Sequence, residues 1–429
     1  MSEPIYRIRP GGRDLFDRVL PGVTVPAQAG PALAIAPDLY QSEGMSNTWL
    51  LVTPEGRIVI NTGMGFEGPV HRQKYDSIDN GPIRYIVFTQ GHVDHVGGAD
   101  AFLESGTEVI AHAGNQSHQA LDEMIHGYRM EHIDFAFPGI QAKLEASDDD
   151  ASGGSRAIQA QPTPSITFED TYAFSLGGLD LELMWIPGGE TTESIIVWLP
   201  QRRIAIVGNL FGALFGHVPN LVTIRGDQYR DSTTFTTAIE RLRALEPEIL
   251  AVGHHEPVIG AEAVSEQLDR LHASVTYVHD ETLRYMNEGK DVYTAMAEIR
   301  LPPELEVGEG YGKVSWNVRA IWENYVGWFH HLSTTELYSQ PPTSIYPDLV
   351  DLAGADAVVE RAHTRLAGGS PVEAIHLAEA VLATQPTHQG ALSVYRDAHL
   401  ALDAASNNFW EISWLRDQIR RTELLLEDG

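Results

Sequence analysis

The chain of 429 residues contains no cysteine. Disulfide bonds, thiolate metal ligands and cysteine nucleophiles are therefore excluded, and any metal site must use histidine, carboxylate or amide side chains. The chain also lacks an apolar run long enough to span a membrane, and Met1 to Gly12 lacks the apolar core of a secretory signal. We expect a soluble cytoplasmic protein without a membrane partner.

Positive charge is scarce in this chain. Its 29 lysine and arginine residues face 59 aspartate and glutamate residues, which gives a net charge of −30. Such a charge argues against binding to nucleic acid or to an anionic membrane surface. An anionic substrate would have to be attracted by local cations or metal ions. The length exceeds that of one hydrophobic core, so two or three domains are expected.

The densest group of chemically active side chains is Thr89-Gln90-Gly91-His92-Val93-Asp94-His95-Val96-Gly97-Gly98. It follows an apolar run, Ile83 to Phe88, that is typical of a buried strand. Imidazole and carboxylate groups are good ligands for borderline-soft divalent metals. A turn of this kind can direct His92 one way and Asp94 with His95 another. The pattern therefore indicates two adjacent metal positions.

This stretch resembles the signature T-H-x-H-x-D-H-x-G-G of the metallo-β-lactamase fold, with Gln90 in place of the first histidine. Other stretches narrow the resemblance to the alkylsulfatases. In the turn from Pro187 to Ser194, Glu190 stands where most members of the fold have a histidine, and a carboxylate there is a mark of the alkylsulfatases. The stretch Asn220 to Gly226 resembles the one whose arginine holds the sulfate group, and that arginine matches Arg225.

Two later stretches extend the resemblance. Gly253-His254-His255-Glu256-Pro257 matches the last metal-ligand loop, in which His254 directly follows the glycine. Gly310 to Phe329 resembles the alkylsulfatase segment between the catalytic and dimerisation regions, and Tyr311 and Asn317 in it are expected at the substrate. Phe135 and Phe137 lie in the region where alkylsulfatases place a tyrosine on the sulfate.

The resemblance implies two ligand sets. One metal would be bound by Asp94, His95 and His254, and the other by a weaker set: Gln90, His92 and Glu190, with Asn209 where a bridging carboxylate belongs. Because Gln90 offers only a neutral oxygen and Asn209 carries no charge, the second affinity should be lower. Two ions, one ion, or a site altered for other chemistry all remain open. Zinc is the expected metal, with iron or manganese as alternatives.

The function implied is hydrolysis of an alkyl sulfate ester or a related anionic ester by a metal-bound hydroxide. Arg225 would hold the anionic group with its guanidinium, and Asp94 would accept a proton as well as bind metal. An alternative is an iron-dependent redox or oxygen-using enzyme, since two histidines and one carboxylate suit iron. A further alternative is a non-catalytic binding protein with a degenerate site.

The expected fold is α/β, a metallo-β-lactamase αββα sandwich followed by an all-α dimerisation module. We expect a catalytic domain at 1–262, a helical connecting segment at 263–338 and a tetratricopeptide-like dimerisation domain at 345–429, which predicts a homodimer. The chain ends without the sterol-carrier-like third domain of long alkylsulfatases. Within the first domain, Gly98 to Ser105 is predicted to be helical.

Overall fold

The structure, a computed structural model, describes residues 26–132, 134–137, 159–222, 224 and 226–427. Their contacts define two compact units. The first contains residues 26–132 and the described residues from 159 to 324, and the second contains 134–137 and 325–427. The division into three domains stays a prediction. None of the helices in the described ranges combines the length and apolar composition needed to cross a bilayer.

The first sheet in the described part of the chain has seven strands, and neighbours in sequence are neighbours in the sheet. The first four strands pair antiparallel, whereas the fourth to the seventh pair parallel. Parallel strands end at the same edge of a sheet, so the loops that follow them lie together. The strands are β1 (Leu33–Ala36), β2 (Leu39–Ser42), β3 (Thr48–Thr53), β4 (Gly56–Ile60), β5 (Ile83–Val87), β6 (Glu108–His112) and β7 (Ile166–Phe168).

The second sheet has six strands and runs in reverse chain order. Its strands are β8 (Thr171–Leu176), β9 (Leu179–Trp185), β10 (Ile195–Leu199), β11 (Ile204–Gly208), β12 (Ile249–Val252) and β13 (Val258–Ile259). The pair β11 and β12 is parallel, and the other neighbours are antiparallel. The residues after β11 and β12, Asn209 and Gly253, therefore emerge at one end of this sheet.

Helices cover the outer faces of both sheets. Those up to residue 326 are α1 (Gly68–Asp76), α2 (Val93–Val96), α3 (Asn115–Met124), α4 (His126–His132), α5 (Ser232–Arg243), α6 (Ala261–Asn287), α7 (Val292–Glu298) and α8 (Val314–Val326). On the first sheet, Tyr75 of α1 belongs to the outer apolar cluster. On the second sheet, Phe235 of α5 and Leu268 of α6 belong to a separate outer apolar cluster.

The alternation of side chains along the strands places the core between the two sheets. In β3, Trp49 and Leu51 pack into the cluster shared with the second sheet, which includes Leu181 and Val197, while Leu50 faces the outer cluster. This is the period of two that a strand buried on both faces requires. The predicted αββα sandwich is confirmed.

The helix predicted over Gly98–Ser105 is wrong. The structure has only a short 3-10 turn at Ala99–Ala101, and the helical turn lies earlier, in α2. The reason is a contact between loops, because the N–H of Gly98 donates to the carbonyl of Gly63 and leaves the helical pattern. The short strands β2 and β13 were not predicted either.

The second unit is helical outside the segment 134–137. Its helices are α9 (Tyr346–Ala353), α10 (Ala355–Ala367), α11 (Pro371–Leu382), α12 (Gln389–Ala405) and α13 (Phe409–Glu427). Helices α11 and α12 follow one another in the chain and pack together. Fully buried alanines, such as Ala374 and Ala398, let these helices approach closely. The all-helical module expected after the sandwich is confirmed.

Candidate metal centre

The loop after β5 carries His92, Asp94 and His95, and buried polar contacts fix its course. Asn61, with φ of 58°, donates from Nδ2 to Thr89 Oγ1 at 2.9 Å and accepts from the Thr89 N–H at 3.0 Å. Further along, the Thr62 N–H donates to the carbonyl of His95 at 2.7 Å. The loop after β4 therefore holds both ends of the metal-binding loop, and Asn61 acts through a left-handed turn, as its residue type favours.

Asp94, His95 and His254 converge. One ligand atom from each lies within 4.8 Å of the other two, and no other such group of histidine, cysteine and carboxylate residues occurs in the described chain. Asp94 Oδ2 is 3.4 Å from His95 Nε2 and 3.6 Å from His254 Nε2. The structure thus brings His254 to the adjacent pair Asp94 and His95, and the resemblance assigns these three residues to one metal.

These three residues fit a divalent metal. His95 is fully buried, and neither of its ring nitrogens has a hydrogen-bond partner among the described residues. Desolvation lowers the pKa of His95 to about 4, so the ring stays neutral near pH 7 and offers a lone pair. A buried imidazole without a partner is costly unless it binds something. Two imidazoles and one carboxylate leave coordination positions open for water or substrate.

Asn47 holds the backbone around His254. The Nδ2 group of Asn47 donates to the carbonyls of Val252 at 2.9 Å and His255 at 2.7 Å. The Asn47 N–H donates to Gly253 O at 2.6 Å. One asparagine therefore fixes the backbone on both sides of His254, which explains why His254 rather than His255 joins the group.

The set expected for a second metal also meets in space, but its members bind one another. Gln90 Oε1 accepts from the Asn209 N–H at 2.8 Å, and Gln90 Nε2 lies 2.8 Å from His92 Nδ1. Glu190 Oε2 accepts from Asn209 Nδ2 at 3.1 Å, and the same Nδ2 is 3.0 Å from His254 Nε2. The Asn209 amide nitrogen therefore lies between the two ligand sets.

Two buried charged side chains beside this set, those of Arg230 and Asp227, were not identified from the sequence. Arg230 Nη1 donates to Glu190 Oε1 at 3.3 Å and to Asn220 O at 2.8 Å. Asp227 Oδ2 lies 3.6 Å from His92 Nε2 and 3.9 Å from Arg230 Nη2. The signal was present, because a polar run with two charged residues, Asp227 to Arg230, directly follows the Asn220–Gly226 match. Nothing local indicates that such a run is buried.

Glu193 is a further residue that was missed. Its Oε1 accepts from the Gly91 N–H at 2.6 Å, and its Oε2 is 3.7 Å from His118 Nδ1. The ring of His118 in turn stands edge-on to that of His92, with centroids 4.9 Å apart. Glu193 and His118 therefore position His92, and the second glutamate of the Pro187–Ser194 turn was the signal for this.

Comparison with known proteins agrees with this geometry. The model of the metallo-beta-lactamase superfamily matches residues 42–254, and the model of alkyl sulfatase dimerisation matches residues 293–416. The chain contains a metallo-β-lactamase superfamily domain. It combines the superfamily domain with an alkyl sulfatase dimerisation domain, as the resemblance predicted.

The curated relatives of this chain include alkylsulfatases. A linear primary-alkylsulfatase from Pseudomonas is 29% identical over 71% of this chain and 60% of its own length. The alkyl/aryl-sulfatase BDS1 of Saccharomyces cerevisiae is 26% identical over 77% of this chain and 54% of its own. The chain thus spans between about half and two thirds of the length of these relatives.

A solved structure shares the fold. The stereoselective inverting sec-alkylsulfatase Pisa1 from Pseudomonas superposes with a TM-score of 0.78 at 22% identity. The match covers 91% of this chain and 65% of that one. The likeness extends beyond the superfamily domain into the helical part of the chain.

The remaining residues expected at the substrate lie as follows. Arg225 is outside the described residues. Asn317 is 2% exposed, and its Oδ1 accepts from the Leu221 N–H at 3.4 Å, so it supports the turn that follows Asn220. Tyr311 is 5% exposed and lies near Gly212, whose added Cβ would be 4.0 Å from the ring. Substrate contact by these two residues stays a prediction.

Phe135 and Phe137 belong to the second unit. Phe135 stands edge-on to Trp414, with centroids 5.5 Å apart, and Phe137 stands edge-on to Trp410 at 6.0 Å. Both phenylalanines therefore pack on helix α13, and this packing accounts for aromatic rings without a hydroxyl at these positions.

His112 has a structural role. Its Nε2 is 2.9 Å from Glu169 O, its Nδ1 accepts from the Gly114 N–H at 3.1 Å, and its ring stacks on Trp185 at 5.3 Å. Both nitrogens are therefore occupied by backbone groups. His112 is a satisfied histidine at the end of β6.

Proposed function

We propose that the protein is a metal-dependent hydrolase of an alkyl sulfate ester or a related anionic ester. The observation that carries this proposal is the convergence of Asp94, His95 and His254, with both nitrogens of the buried His95 lacking hydrogen-bond partners among the described residues. The named activities of the alkylsulfatase relatives support the substrate class. The reaction would add water across the ester and release an alcohol and sulfate.

Zinc is the metal we propose, with iron or manganese as alternatives. The neutral imidazoles of His95 and His254 and the carboxylate of Asp94 would hold it. A divalent ion bound there supplies Lewis acidity, which lowers the pKa of a water molecule toward neutrality.

Side chains of the protein would accept the proton and bind the substrate. Asp94 has a second carboxylate oxygen, and its side chain is 20% exposed, so it can accept a proton from the attacking water. Arg225 would hold the anionic end of the ester, since a guanidinium binds sulfate through two parallel hydrogen bonds. Positive charge from the metal and from arginine would offset the charge that develops on the leaving oxygen.

The metal requirement can be tested directly. Chelation should abolish sulfate release from a medium-chain alkyl sulfate, and added zinc should restore it. His95→Ala should lower kcat/KM by more than about 100-fold, because the metal loses one of three ligands. His376→Ala is the matched control, since its side chain is 65% exposed and lies in helix α11 of the second unit. Full activity of the chelated protein would refute the proposal.

The role of Arg225 calls for a separate experiment. Arg225→Ala should raise KM and lower kcat for alkyl sulfates by about 100-fold or more, since the anionic group loses a charge-assisted bidentate contact. Arg241→Ala, on the exposed face of α5, is the control for the loss of one positive charge. Sulfate release would be followed by ion chromatography. Unchanged kinetics of the Arg225 variant would exclude the sulfate-holding role.

We also propose that the protein is a homodimer. The dimerisation model covers residues 293–416, and residues 325–352 carry many exposed apolar side chains. Large exposed apolar patches are typical of surfaces that bind another protein. The cytoplasmic location stays a prediction.

A second candidate function is an iron-dependent oxidation. It is favoured by the composition of the group Asp94, His95 and His254, which is a set of two histidines and one carboxylate. Protein purified from cells grown with both metals would be analysed for iron and zinc, and oxygen uptake would be measured with iron-loaded protein. Bound iron with substrate-dependent oxygen uptake would favour oxidation, whereas sulfate release with zinc would favour hydrolysis. The non-catalytic alternative predicts neither.

A further inference from the structure

We infer that the centre of this protein takes one metal ion, and that the Asn209 amide and the Arg230 guanidinium stand where the second ion would be. The inference rests on the metal centre of the proposed function and concerns the four residues expected at the second position: Gln90, His92, Glu190 and Asn209. Gln90, His92 and Glu190 do not fit a divalent ion, and only Asn209 Oδ1 lacks a hydrogen-bond partner among the described residues of this set. The reasons are their hydrogen bonds and their charge.

Gln90 cannot offer its oxygen. The donor that faces Oε1 is the backbone N–H of Asn209, 2.8 Å away, and a backbone N–H has no acceptor alternative. This fixes the orientation of the amide, so the group that faces His92 is the NH2. Gln90 therefore directs its hydrogen atoms, and not its lone pairs, toward the position where the resemblance calls for a ligand.

His92 is engaged at Nδ1 as a consequence. Because an amide NH2 only donates, His92 Nδ1 must be the acceptor of the 2.8 Å contact with Gln90. The proton of the neutral ring then resides on Nε2, which faces Asp227 Oδ2 at 3.6 Å. The Nδ1 lone pair is therefore occupied while Gln90 is present. His254 Nε2 differs, because the amide 3.0 Å from it, that of Asn209, has an oxygen that no donor among the described residues holds in place.

Both oxygens of Glu190 meet nitrogen donors. Oε2 accepts from Asn209 Nδ2 at 3.1 Å, and Oε1 accepts from Arg230 Nη1 at 3.3 Å. Arg230 is 8% exposed and is also tied to Asn220 O at 2.8 Å. A buried guanidinium is retained only beside a countercharge. Glu190 is therefore already neutralised, and the same cation would repel a metal ion placed beside it.

No carboxylate can reach the second position from residue 208, the last residue of β11. Gly208, the residue before Asn209, has φ of 53°, and a Cβ added there would lie 2.1 Å from Thr89 Oγ1. The packing against Thr89 thus excludes any side chain at residue 208. Residue 209, where the resemblance places the bridging carboxylate, is the uncharged Asn209, so the bridging negative charge is absent from this part of the centre.

Metal stoichiometry of the wild-type protein is the first test. Chelated protein would be dialysed against rising free zinc and the bound zinc measured by mass spectrometry, with manganese-loaded protein studied in parallel by electron paramagnetic resonance. We expect a plateau of one zinc per chain, no binding to His95→Ala, and the spectrum of an uncoupled manganese ion. A plateau of two, or a spin-coupled pair, would overturn the inference and leave the proposed hydrolase standing. Failure to bind any metal would instead refute the proposed function.

A second test distinguishes two causes of the missing second ion: the positive charge of Arg230 and the lack of suitable ligands at Gln90 and Asn209. Gln90→His/Asn209→Asp supplies an imidazole and a carboxylate, and we expect it still to bind one zinc. Adding Arg230→Met should raise the plateau to two, whereas adding Arg241→Met as the matched control should leave it at one. Two ions in the variant that keeps Arg230, or one ion in the variant that lacks it, would refute the part assigned to the guanidinium. Circular dichroism and thermal unfolding would establish that each variant is folded.

Discussion

Single buried polar residues fix the loops around the metal centre. Glu67 is 1% exposed and accepts from the N–H groups of Ala27 at 2.7 Å, Met45 at 2.8 Å and Met64 at 3.0 Å. Burial raises the pKa of Glu67, and these three N–H groups act against that shift. The residue after Met45, Ser46, donates to the carbonyl of Asp94. One carboxylate thus connects two loops to the backbone of a metal ligand.

The burial of His71 leads to a prediction of how the free energy of unfolding depends on pH. It is fully buried, with Nδ1 2.7 Å from Ser42 Oγ, and desolvation followed by the charge of Lys74 lowers its pKa to about 3. Between pH 6.5 and about 3 the unfolded chain binds a proton that the folded chain does not, so stability falls as the pH falls through this range. His71→Asn should remove about 1.4 kcal/mol of that dependence per pH unit below 6.

Urea unfolding at pH 7, 6 and 5 would measure this slope in the wild type and the variant. His95 and His217, whose pKa values burial lowers to about 4, contribute to the slope in both proteins and cancel in the difference. His376→Asn, at an exposed position, should leave the slope unchanged. Equal slopes for the wild type and His71→Asn would mean that His71 is protonated in the folded protein.

At the scale of elements, strand ends decide the geometry of the centre. The strand β5 leads to His92, Asp94 and His95, β11 leads to Asn209, and β12 leads to His254. The parallel pairing of β11 with β12 brings Gly208 opposite Val252, which places Asn209 beside His254. Two neighbouring strand ends in the second sheet, together with the loop after β5, therefore assemble the site.

The end of β11 carries a second prediction. Gly208→Ala should destabilise the protein by at least about 2 kcal/mol, because a left-handed φ is combined with a Cβ 2.1 Å from Thr89 Oγ1. Gly106 has φ of 90° with nothing within 4 Å of an added Cβ. Gly106→Ala should therefore cost only the backbone strain, about 1 kcal/mol. Chemical denaturation would compare the two variants, and similar losses would show that Thr89 moves aside.

At the scale of the whole molecule, the distribution of apolar surface predicts self-association. Among the described residues, large exposed apolar side chains are frequent between 325 and 352, and Leu349 and Leu352 of α9 are 49% and 84% exposed. A net charge of −30 disfavours association of the rest of the surface. An apolar face on a strongly acidic molecule is therefore the place where two copies can meet.

The third prediction follows from this surface. The wild type should sediment as a dimer at micromolar concentration, and Leu349→Glu/Leu352→Glu should shift it to a monomer, because two charges would be buried in an apolar interface. Met124→Glu, at a position 79% exposed in the first unit, is the control and should remain dimeric. Analytical ultracentrifugation would measure both. A wild-type monomer at all concentrations would contradict the homodimer.

The sequence by itself determined the sandwich, the helical module and the group Asp94, His95 and His254. These were inferred from the resemblance to the metallo-β-lactamase fold and the alkylsulfatases, which short motifs such as Thr89–Gly98 and Gly253–Pro257 carry. The absence of cysteine, with a histidine-rich loop, also fixed the kind of ligands that a metal would find. Such features can be predicted from sequence because each motif lies within a few consecutive residues.

Only the tertiary structure decided what surrounds these residues. Three features of the second position depend on chain segments more than 30 residues apart in sequence. They are the burial of Arg230 against Glu190, the position of Asp227 beside His92, and the orientation of the Gln90 amide, which the Asn209 N–H sets. A charged residue in a polar run looks solvent-exposed in sequence, since its partner is specified elsewhere. Long-range burial, which sets hydrogen-bond partners and charge balance, is the physical reason why the second position could be read only from the folded chain.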